Sequence, residues 1–341
     1  MTTPNPADAG SGEVVAAASL EPTATRSLLR GNGKRGRGDR LFHGLSEGSG
    51  VLIVVLIAAI GVFLLVRAIP ALARDKENFF TYGGNWVTTN TSAMHFGILD
   101  LLQVTVFAAL FALILAMPVA LGIAIFLAQY SPRRITGPLA YLVDLLAAVP
   151  SIIYGVWGLY VLAPRLRPIA TWLNEHLGWF FLFATGNASV SGGGTIFTAG
   201  IVLAVMILPI ITAVTREVFI KTPQSHIEAA LALGATRWEV VKTTVLPFGR
   251  SGYISGAVLG LGRALGETVA LLIILRGTQA AFGWSLFDGG YTFATKIAAT
   301  ASEFNNQYKA GAYIAAGLVL FLLTFVVNAM ARAAVAGKDT R

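Results

Sequence analysis

Two ionisable residues, Arg263 and Glu267, interrupt an apolar segment that reads LGLGRALGETVALLIIL at positions 259–275. A guanidinium is a planar cation whose five N–H donors match the oxygens of carboxylates and other oxyanions. One charge at the centre of a bilayer costs about 2.5–3.5 kcal/mol even on lenient insertion scales, and intramembrane charges therefore pair or serve a function. The segment predicts either a structural ion pair or a path for an anion.

The spacing of the two charges places them beside a row of glycines if the segment is one helix. At 100° per residue, a sector of about 80° holds Gly252, Gly256, Gly260, Arg263 and Glu267. Small residues four apart let another helix approach closely. We therefore expect both charges to face the helix bundle or a subunit interface rather than lipid.

Composition indicates that most of the chain lies in lipid. The 341 residues are 55% hydrophobic and only 12% charged, whereas soluble domains have about 25% charged residues. There is no cysteine, which excludes disulfides and thiolate metal sites. The four histidines are scattered without metal-ligand spacing, so no metal site is predicted.

Apolar runs long enough to cross a bilayer predict an all-α, polytopic membrane protein with six transmembrane helices. The predicted spans are 51–69, 99–127, 138–163, 196–219, 251–275 and 311–331. Lys and Arg are concentrated in the N-terminal tail, the second and fourth connecting segments and the C-terminus. This bias predicts a multi-pass membrane protein with both termini in the cytoplasm.

The predicted organisation has three parts. Residues 1–45 form a disordered basic cytoplasmic tail, which we interpret as a topology determinant rather than a nucleic-acid patch because it lacks interleaved aromatics. Residues 46–98 hold the first transmembrane helix and an external loop. Residues 99–335 form a core with five transmembrane helices and a cytoplasmic loop at 222–247.

The 222–247 loop predicts two short helices joined at a glycine elbow. Thr222 and Pro223 are typical of a helix start, and Gly234 is the residue that most easily ends a helix. Thr236 and Glu239 fit a capping box that opens the second helix. Pro247 marks its expected end.

The same loop resembles the EAA loop of binding-protein-dependent ABC transporter permeases. The residues that match the pattern are Glu228, Ala229, Ala230, Gly234, Leu246 and Pro247. Thr244 stands where the family usually has Ile, so one packing contact departs from the pattern. The resemblance implies a type I importer permease fold and a coupling helix that docks in a groove of an ATPase subunit.

Two further segments resemble phosphate importer permeases within this family: VPSIIYG at 149–155 and GRALGET at 262–268. The resemblance implies a substrate path formed by Arg263, Glu267, Thr268, Ser151 and Tyr154. On that path Arg263 would meet phosphate oxygens, while Glu267 would compete for the guanidinium or accept a hydrogen bond from protonated phosphate.

The resemblance also implies the partners: a homologous second permease, two ATPase subunits and an external phosphate-binding protein. The chain has no G-x-x-x-x-G-K-[ST] loop, so we expect no catalytic site and no bound cofactor, with ATP and Mg²⁺ used by the ATPase partner. The alternatives are a sulfate or molybdate ABC permease and an ion-coupled secondary carrier. The carrier would need no EAA loop and would usually show internal repeats.

Overall fold

The structure is a computed structural model that describes residues 37–90, 92–278 and 281–336. Over these ranges the chain is helical, without strands and with two isolated bridges. Its α-helices are α1 (Arg37–Leu72), α2 (Leu99–Ile125), α3 (Arg133–Ala148), α4 (Ser151–Trp157), α5 (Ala163–Leu177), α6 (Ile196–Ile220), α7 (Gln224–Ala232), α8 (Arg237–Val240), α9 (Leu246–Leu265), α10 (Val269–Ile274), α11 (Phe293–Thr300) and α12 (Gln307–Ala336). Single π-helical turns at Phe126–Tyr130, Gly158–Leu162 and Val241–Val245 extend or join these helices.

The predicted class, an all-α membrane protein, is confirmed, but six continuous spans are not found in the described ranges. Four helical stretches are long and apolar enough to cross a bilayer: Leu41–Leu72, Leu99–Tyr130, Ile196–Ile220 and Gln307–Met330. A fifth span would be the pair Arg134–Ala148 and Ser151–Leu177, which meet at an angle of 88°. Pro150 lies at this bend and cannot continue a helical hydrogen-bond ladder.

The predicted span at 251–275 is broken in the structure. Helix α9 ends at Leu265 and α10 begins at Val269, so Gly266, Glu267 and Thr268 form a non-helical link. The expectation of one helical face running through Arg263 and Glu267 is therefore wrong.

Contacts divide the chain into two units, residues 1–58 and 59–341. The structure describes residues 37–58 of the first unit, and they form the first part of α1 with exposed side chains at every position described. The predicted disorder is wrong for residues 37–45, where the i,i+4 pair His43–Glu47 (3.4 Å) supports a helix. The tail predicted at residues 1–36 lies outside the described residues.

The core of the second unit is built on small residues of α2. Ala108, Ala112, Ala116 and Ala120 recur every fourth residue and are at most 1% exposed. This alanine stripe lets α6 pack closely against α2, because a one-carbon side chain allows the two helix axes to approach each other. Helix α6 is accordingly the most deeply buried of the spanning helices.

The glycine row of α9 packs against the C-terminal half of α6, at residues 207–218. A Cβ at Gly252 would lie 2.3 Å from Val218 Cγ2, and one at Gly260 would lie 2.9 Å from Ile211 Cγ1. Both distances are too short for a real contact, so these positions require glycine at this spacing. The predicted close helix approach at the glycine row is confirmed.

Candidate substrate path and coupling surface

Arg263 lies in the last turn of α9, just before the helix breaks. Its side chain is exposed on this chain and makes no ion pair or hydrogen bond with the residues that the structure describes. The neighbouring glycines Gly256 and Gly260 are buried against α6, whereas Arg263 is exposed, so α6 does not cover the guanidinium as it covers the glycine row. A cation that makes no ion pair or hydrogen bond with the described part of the chain is open to a ligand or to another subunit.

Glu267 lies in the break and is buried, with 8% of its surface exposed. Its Oε1 accepts a 3.1 Å hydrogen bond from the backbone N–H of Ala270 and so satisfies a donor in the first turn of α10. The ion pair with Arg263, one of the two predicted roles, is not formed in the structure. Thr268 donates from its hydroxyl to the carbonyl of Gly266, 3.1 Å away, and is half-buried.

Helix α4 brings the other two predicted path residues to the same break. A Cβ at Gly155 would lie 2.9 Å from the Ala270 Cα, so α4 contacts α10 without an intervening side chain. The Tyr154 hydroxyl donates to the Leu146 carbonyl over 2.8 Å, and Tyr154 is near enough to Arg263 for an electrostatic interaction. Ser151 is half-buried at the first position of α4. The two separate sequence motifs therefore meet at this break.

The loop between α6 and α9 has the predicted glycine elbow. Gly234 has φ +87°, a left-handed conformation, and its N–H donates to Leu231 O over 2.9 Å. The next N–H, from Ala235, donates to Ala230 O over 3.1 Å. The two hydrogen bonds together form a Schellman motif, which is typical of helices that end at a glycine. The start of α7 differs from the prediction, since Pro223 precedes the helix and the buried Thr222 hydroxyl makes no hydrogen bond with the residues that the structure describes.

The second short helix begins with the predicted capping box. Glu239 N–H donates to Thr236 Oγ1 over 3.3 Å, and Thr236 N–H donates to Glu239 Oε2 over 2.7 Å. The hydrogen bond from Thr236 N–H to the carboxylate, together with one from the Thr236 hydroxyl, holds the pKa of the Glu239 carboxyl below its usual value of 4.5. Hydrogen bonds therefore fix the elbow both at the end of α7 and at the start of α8.

The α7–α8 elbow presents apolar side chains to solvent. No residue of α7 is buried, and Glu228 and Ala229 are exposed while Ala230 is half-buried. Leu233 is 91% exposed at the tip, and Leu231 and Trp238 are also exposed. Apolar groups held rigidly at a protein surface are typical of a docking site for another protein.

The inner side of the same segment packs on the membrane helices. Val241 and Val245 are buried in a cluster with Ile125 of α2 and Phe219 of α6, and Leu246 lies against it. Pro247 lies in the first turn of α9, so it begins that helix rather than ending the previous one as predicted. A displacement of the elbow would therefore reach α2, α6 and α9 directly.

Sequence reasoning missed a buried carboxylate that joins two loops at the opposite end of α6. Asp288 is 1% exposed and accepts hydrogen bonds from the N–H groups of Asn187, Gly283 and Ser285 at 2.8, 2.9 and 3.0 Å. The side chain of Asn187 makes a second link between the loops, because its Oδ1 accepts a 2.8 Å hydrogen bond from Gly289 N–H. The Asp-Gly-Gly turn at 288–290 is the sequence signal that could have indicated this role.

Comparison with known proteins gives a matching family and close relatives. Residues 120–338 match the family described as "Binding-protein-dependent transport system inner membrane component". The phosphate transport system permease protein PstC 2 of Mycobacterium tuberculosis is 59% identical over 302 residues, covering 89% of this chain and 93% of the relative. PstC of Mycobacterium leprae is 60% identical, covering 89% and 94%. PstC of Xylella fastidiosa strain Temecula1 is 39% identical, covering 87% and 90%.

A solved structure supports the fold. A chain of the MetNI methionine ABC transporter, in an inward-facing conformation, is similar with a TM-score of 0.50 and 16% identity. The similarity covers 70% of this chain and 96% of that chain. At this identity it supports the helical permease architecture and nothing about the substrate.

Proposed function

Because the chain belongs to the binding-protein-dependent transport system inner membrane components, and within them to the PstC-type permeases, we propose that it forms one half of the membrane path of an ATP-driven phosphate importer. The observation that carries this proposal is the exposed Arg263 guanidinium, which makes no ion pair or hydrogen bond with the described residues. It lies at a helix break where Tyr154 and Glu267 also converge.

Arg263 provides the positive charge for an anion that crosses an apolar region. Its fork of N–H donors suits two oxygens of one phosphate, and it keeps its charge at any physiological pH. A transport site must also release its ligand. Binding therefore has to stay weak, and the exposure of Arg263 supports this because water competes with the anion for the guanidinium.

Glu267, Thr268, Ser151 and Tyr154 would shape the path around Arg263. Glu267 is held by the first turn of α10, so its charge stays near the break without neutralising the arginine. A buried carboxylate close to an anion path favours anions that carry a proton, because it can accept a hydrogen bond from them. Inorganic phosphate keeps such a proton at neutral pH, whereas sulfate has none.

The α7–α8 elbow would be the surface that meets an ATPase subunit. Its exposed apolar tip at Leu231, Leu233 and Trp238 offers the docking area, and its capped ends make it rigid. Val241 and Val245 then carry a push from the elbow to Ile125 and Phe219. Residues Glu228, Ala229, Ala230, Gly234, Leu246 and Pro247 form the frame of this element.

The assembly that follows has a homologous permease (PstA-like), two ATPase subunits (PstB-like) that use ATP and Mg²⁺, and an external phosphate-binding protein (PstS-like). This chain would lie in the bacterial inner membrane with both termini in the cytoplasm. The external loops joined by Asp288 and Asn187 would face the binding protein.

Uptake of labelled phosphate by cells that contain the whole system tests the proposal. We expect Arg263→Gln to reduce uptake at least about tenfold, because it removes the positive charge that attracts the anion at the break. Arg250→Gln is the matched control, since Arg250 is an exposed arginine in the first turns of the same helix. Excess sulfate should leave phosphate uptake unchanged.

Two results would contradict the proposal. Uptake that survives Arg263→Gln excludes the residue from the path, and inhibition by sulfate equal to that by unlabelled phosphate would favour the sulfate-type alternative. Copurification of the partner subunits with the Arg263→Gln variant separates a transport defect from a failure of assembly.

A further inference from the structure

A polar cavity lies at the N-terminal end of α2, at the end opposite the coupling elbow. Its volume is about 230 Å³, and its wall combines the 83–86 loop, the first turns of α2 and the loop that follows α10. The predicted path residues do not line it. The size suits a small ion with a few water molecules rather than a large organic ligand.

Lys296 provides a positive charge at this cavity. It lies in the first turn of α11, and that turn is fixed because Phe293 N–H donates to Thr105 Oγ1 of α2 over 3.1 Å. The Lys296 ammonium is 4.9 Å from the centre of the Tyr291 ring and 5.5 Å from that of Trp86. Two aromatic faces hold the ammonium at the wall.

Asp100 places a carboxylate on the same wall, in the first turn of α2. Its side chain is half-buried and accepts a hydrogen bond from the backbone N–H of Phe282. The carboxylate is packed against Gly83, where a Cβ would lie 2.7 Å from Oδ1. Glycine at position 83 therefore allows the loop to approach the acid directly.

Backbone donors complete the wall. The N–H groups of Gly83 and Gly84 bond to no atom of the described residues. At the start of α2, Leu99 N–H donates to Tyr82 O over 3.4 Å, whereas the next two N–H groups, of Asp100 and Leu101, have no partner among the described residues. A helix N-terminus and free amides both favour an anion. An ammonium, amide donors and one acceptor form a set that matches an oxyanion with one protonated oxygen.

We propose that this cavity is an entry site that binds hydrogen phosphate before it reaches Arg263. Lys296 and the glycine amides contact the charged oxygens, and Asp100 accepts the hydrogen bond from the P–O–H group. The inference rests on the proposed function for the identity of the ion. It adds a first selection step, because sulfate would bring an unprotonated oxygen against the Asp100 carboxylate.

The absence of cysteine gives a direct test. A single cysteine is introduced at Asn85, which lines the cavity and is exposed, or at Thr89, an exposed residue of the same loop that does not line it. The full chain is assembled with its partner subunits in lipid nanodiscs. Modification of each cysteine by a charged thiosulfonate reagent is timed at increasing concentrations of inorganic phosphate or sulfate.

We expect phosphate to slow the modification of Asn85→Cys and to leave that of Thr89→Cys unchanged. Adding Lys296→Gln should raise the phosphate concentration needed for protection by about tenfold or more, whereas Lys76→Gln, an exposed lysine of the same loop, should not. Adding Asp100→Asn should let sulfate protect, because an amide can donate to the oxygen that the carboxylate repels.

Equal phosphate effects at both cysteines, or protection that persists in Lys296→Gln, would overturn the entry site. The outcome is independent of the Arg263 experiment, since uptake measures the whole path and protection measures only this cavity. Uptake that prefers sulfate would remove the proposed function, while site protection by phosphate would still stand as an observation on the cavity.

Discussion

The Tyr154 hydroxyl donates a 2.8 Å hydrogen bond to the carbonyl oxygen of Leu146, across the bend between α3 and α4. Pro150 opens this bend and frees carbonyls at the end of α3, which in a membrane cannot be satisfied by bulk water. The Tyr154 phenol, which lies on α4, therefore provides a hydrogen-bond donor to a carbonyl that the bend leaves without its helical partner. It also fixes the start of α4, where Gly155 meets Ala270 of α10.

Removing this hydroxyl should loosen the bend. We expect Tyr154→Phe to lower the free energy of unfolding by about 0.5–1.5 kcal/mol, because it removes the stronger of two hydrogen bonds to the Leu146 carbonyl and keeps the ring. The 3.4 Å bond from Val149 N–H to the same oxygen would remain. Thermal unfolding of the purified complex in detergent measures the loss. Tyr160→Phe is the control, since Tyr160 is 72% exposed; equal effects of both substitutions would contradict the role assigned to Tyr154.

Sequence periodicity predicted that another helix packs closely on the glycine row of α9, because glycines four apart form a continuous helical face whatever surrounds them. The structure identifies that helix as α6. The prediction of a continuous helix failed six residues after Gly260, the last glycine of the row. Gly266, Glu267 and Thr268 fit a helix by spacing, since a single glycine costs a helix only about 1 kcal/mol. The break is selected by contacts that sequence does not display, namely the capping of α10 by Glu267 and the packing of Ala270 on Gly155.

Whether Arg263 forms an ion pair with Glu267 likewise depends on the tertiary structure. An arginine and a glutamate at i,i+4 predict an ion pair on an intact helix, and the broken helix separates them. The α7–α8 elbow was predicted more completely, because its determinants are local: Gly234 at the turn and Thr236 with Glu239 at the cap. The lesson is that short-range capping can be predicted from sequence, whereas helix breaks inside apolar runs depend on tertiary packing.

The glycine row of α9 can be tested with two substitutions on one helix. In Gly252→Ala the added Cβ would lie 2.3 Å from Val218 Cγ2, so we expect a loss of about 1–3 kcal/mol from overpacking. In Gly262→Ala the nearest atom is 3.6 Å away, at Asn328 Oδ1. That variant should be neutral or slightly more stable, because alanine favours the helix.

Unfolding midpoints of the two variants decide the question. Combining Gly252→Ala with Val218→Ala should recover part of the loss, since it removes the side chain that the new methyl meets. If Gly252→Ala and Gly262→Ala behave alike, the close α6–α9 contact is not what requires glycine.

Substitutions at the elbow glycine, Gly234, test the effect of backbone strain without a steric clash. Gly234 has φ +87°, and a Cβ there would have no atom within 4 Å. Gly234→Val should therefore cost about 1–2 kcal/mol through conformation alone and distort the elbow. Gly234→Asn should be tolerated better, because asparagine enters the left-handed region more readily. We expect phosphate uptake and ATPase copurification to fall for valine and to persist for asparagine; the reverse order would exclude an elbow defined by this turn.

The capping box gives the elbow a pH dependence. Hydrogen bonds from Thr236 lower the pKa of Glu239 in the folded chain below 4.5, so the unfolded chain binds more protons between the two pKa values. Stability from this box is therefore fully present above the unfolded value and is lost as the pH falls through the folded value.

Glu239→Ala isolates this contribution, because Glu239 lies outside the membrane segments and its carboxylate makes the bonds to Thr236. We expect the difference in unfolding midpoint between the natural chain and Glu239→Ala to be constant at neutral pH and to shrink as the pH falls below about 4.5. Amide exchange at residues 236–240, corrected for its intrinsic pH dependence, should show the same convergence locally. A difference that stays constant down to pH values well below that of a free carboxyl would mean that the ionised box does not stabilise the elbow. In that case Gly234 and its two backbone hydrogen bonds would have to hold the coupling surface by themselves.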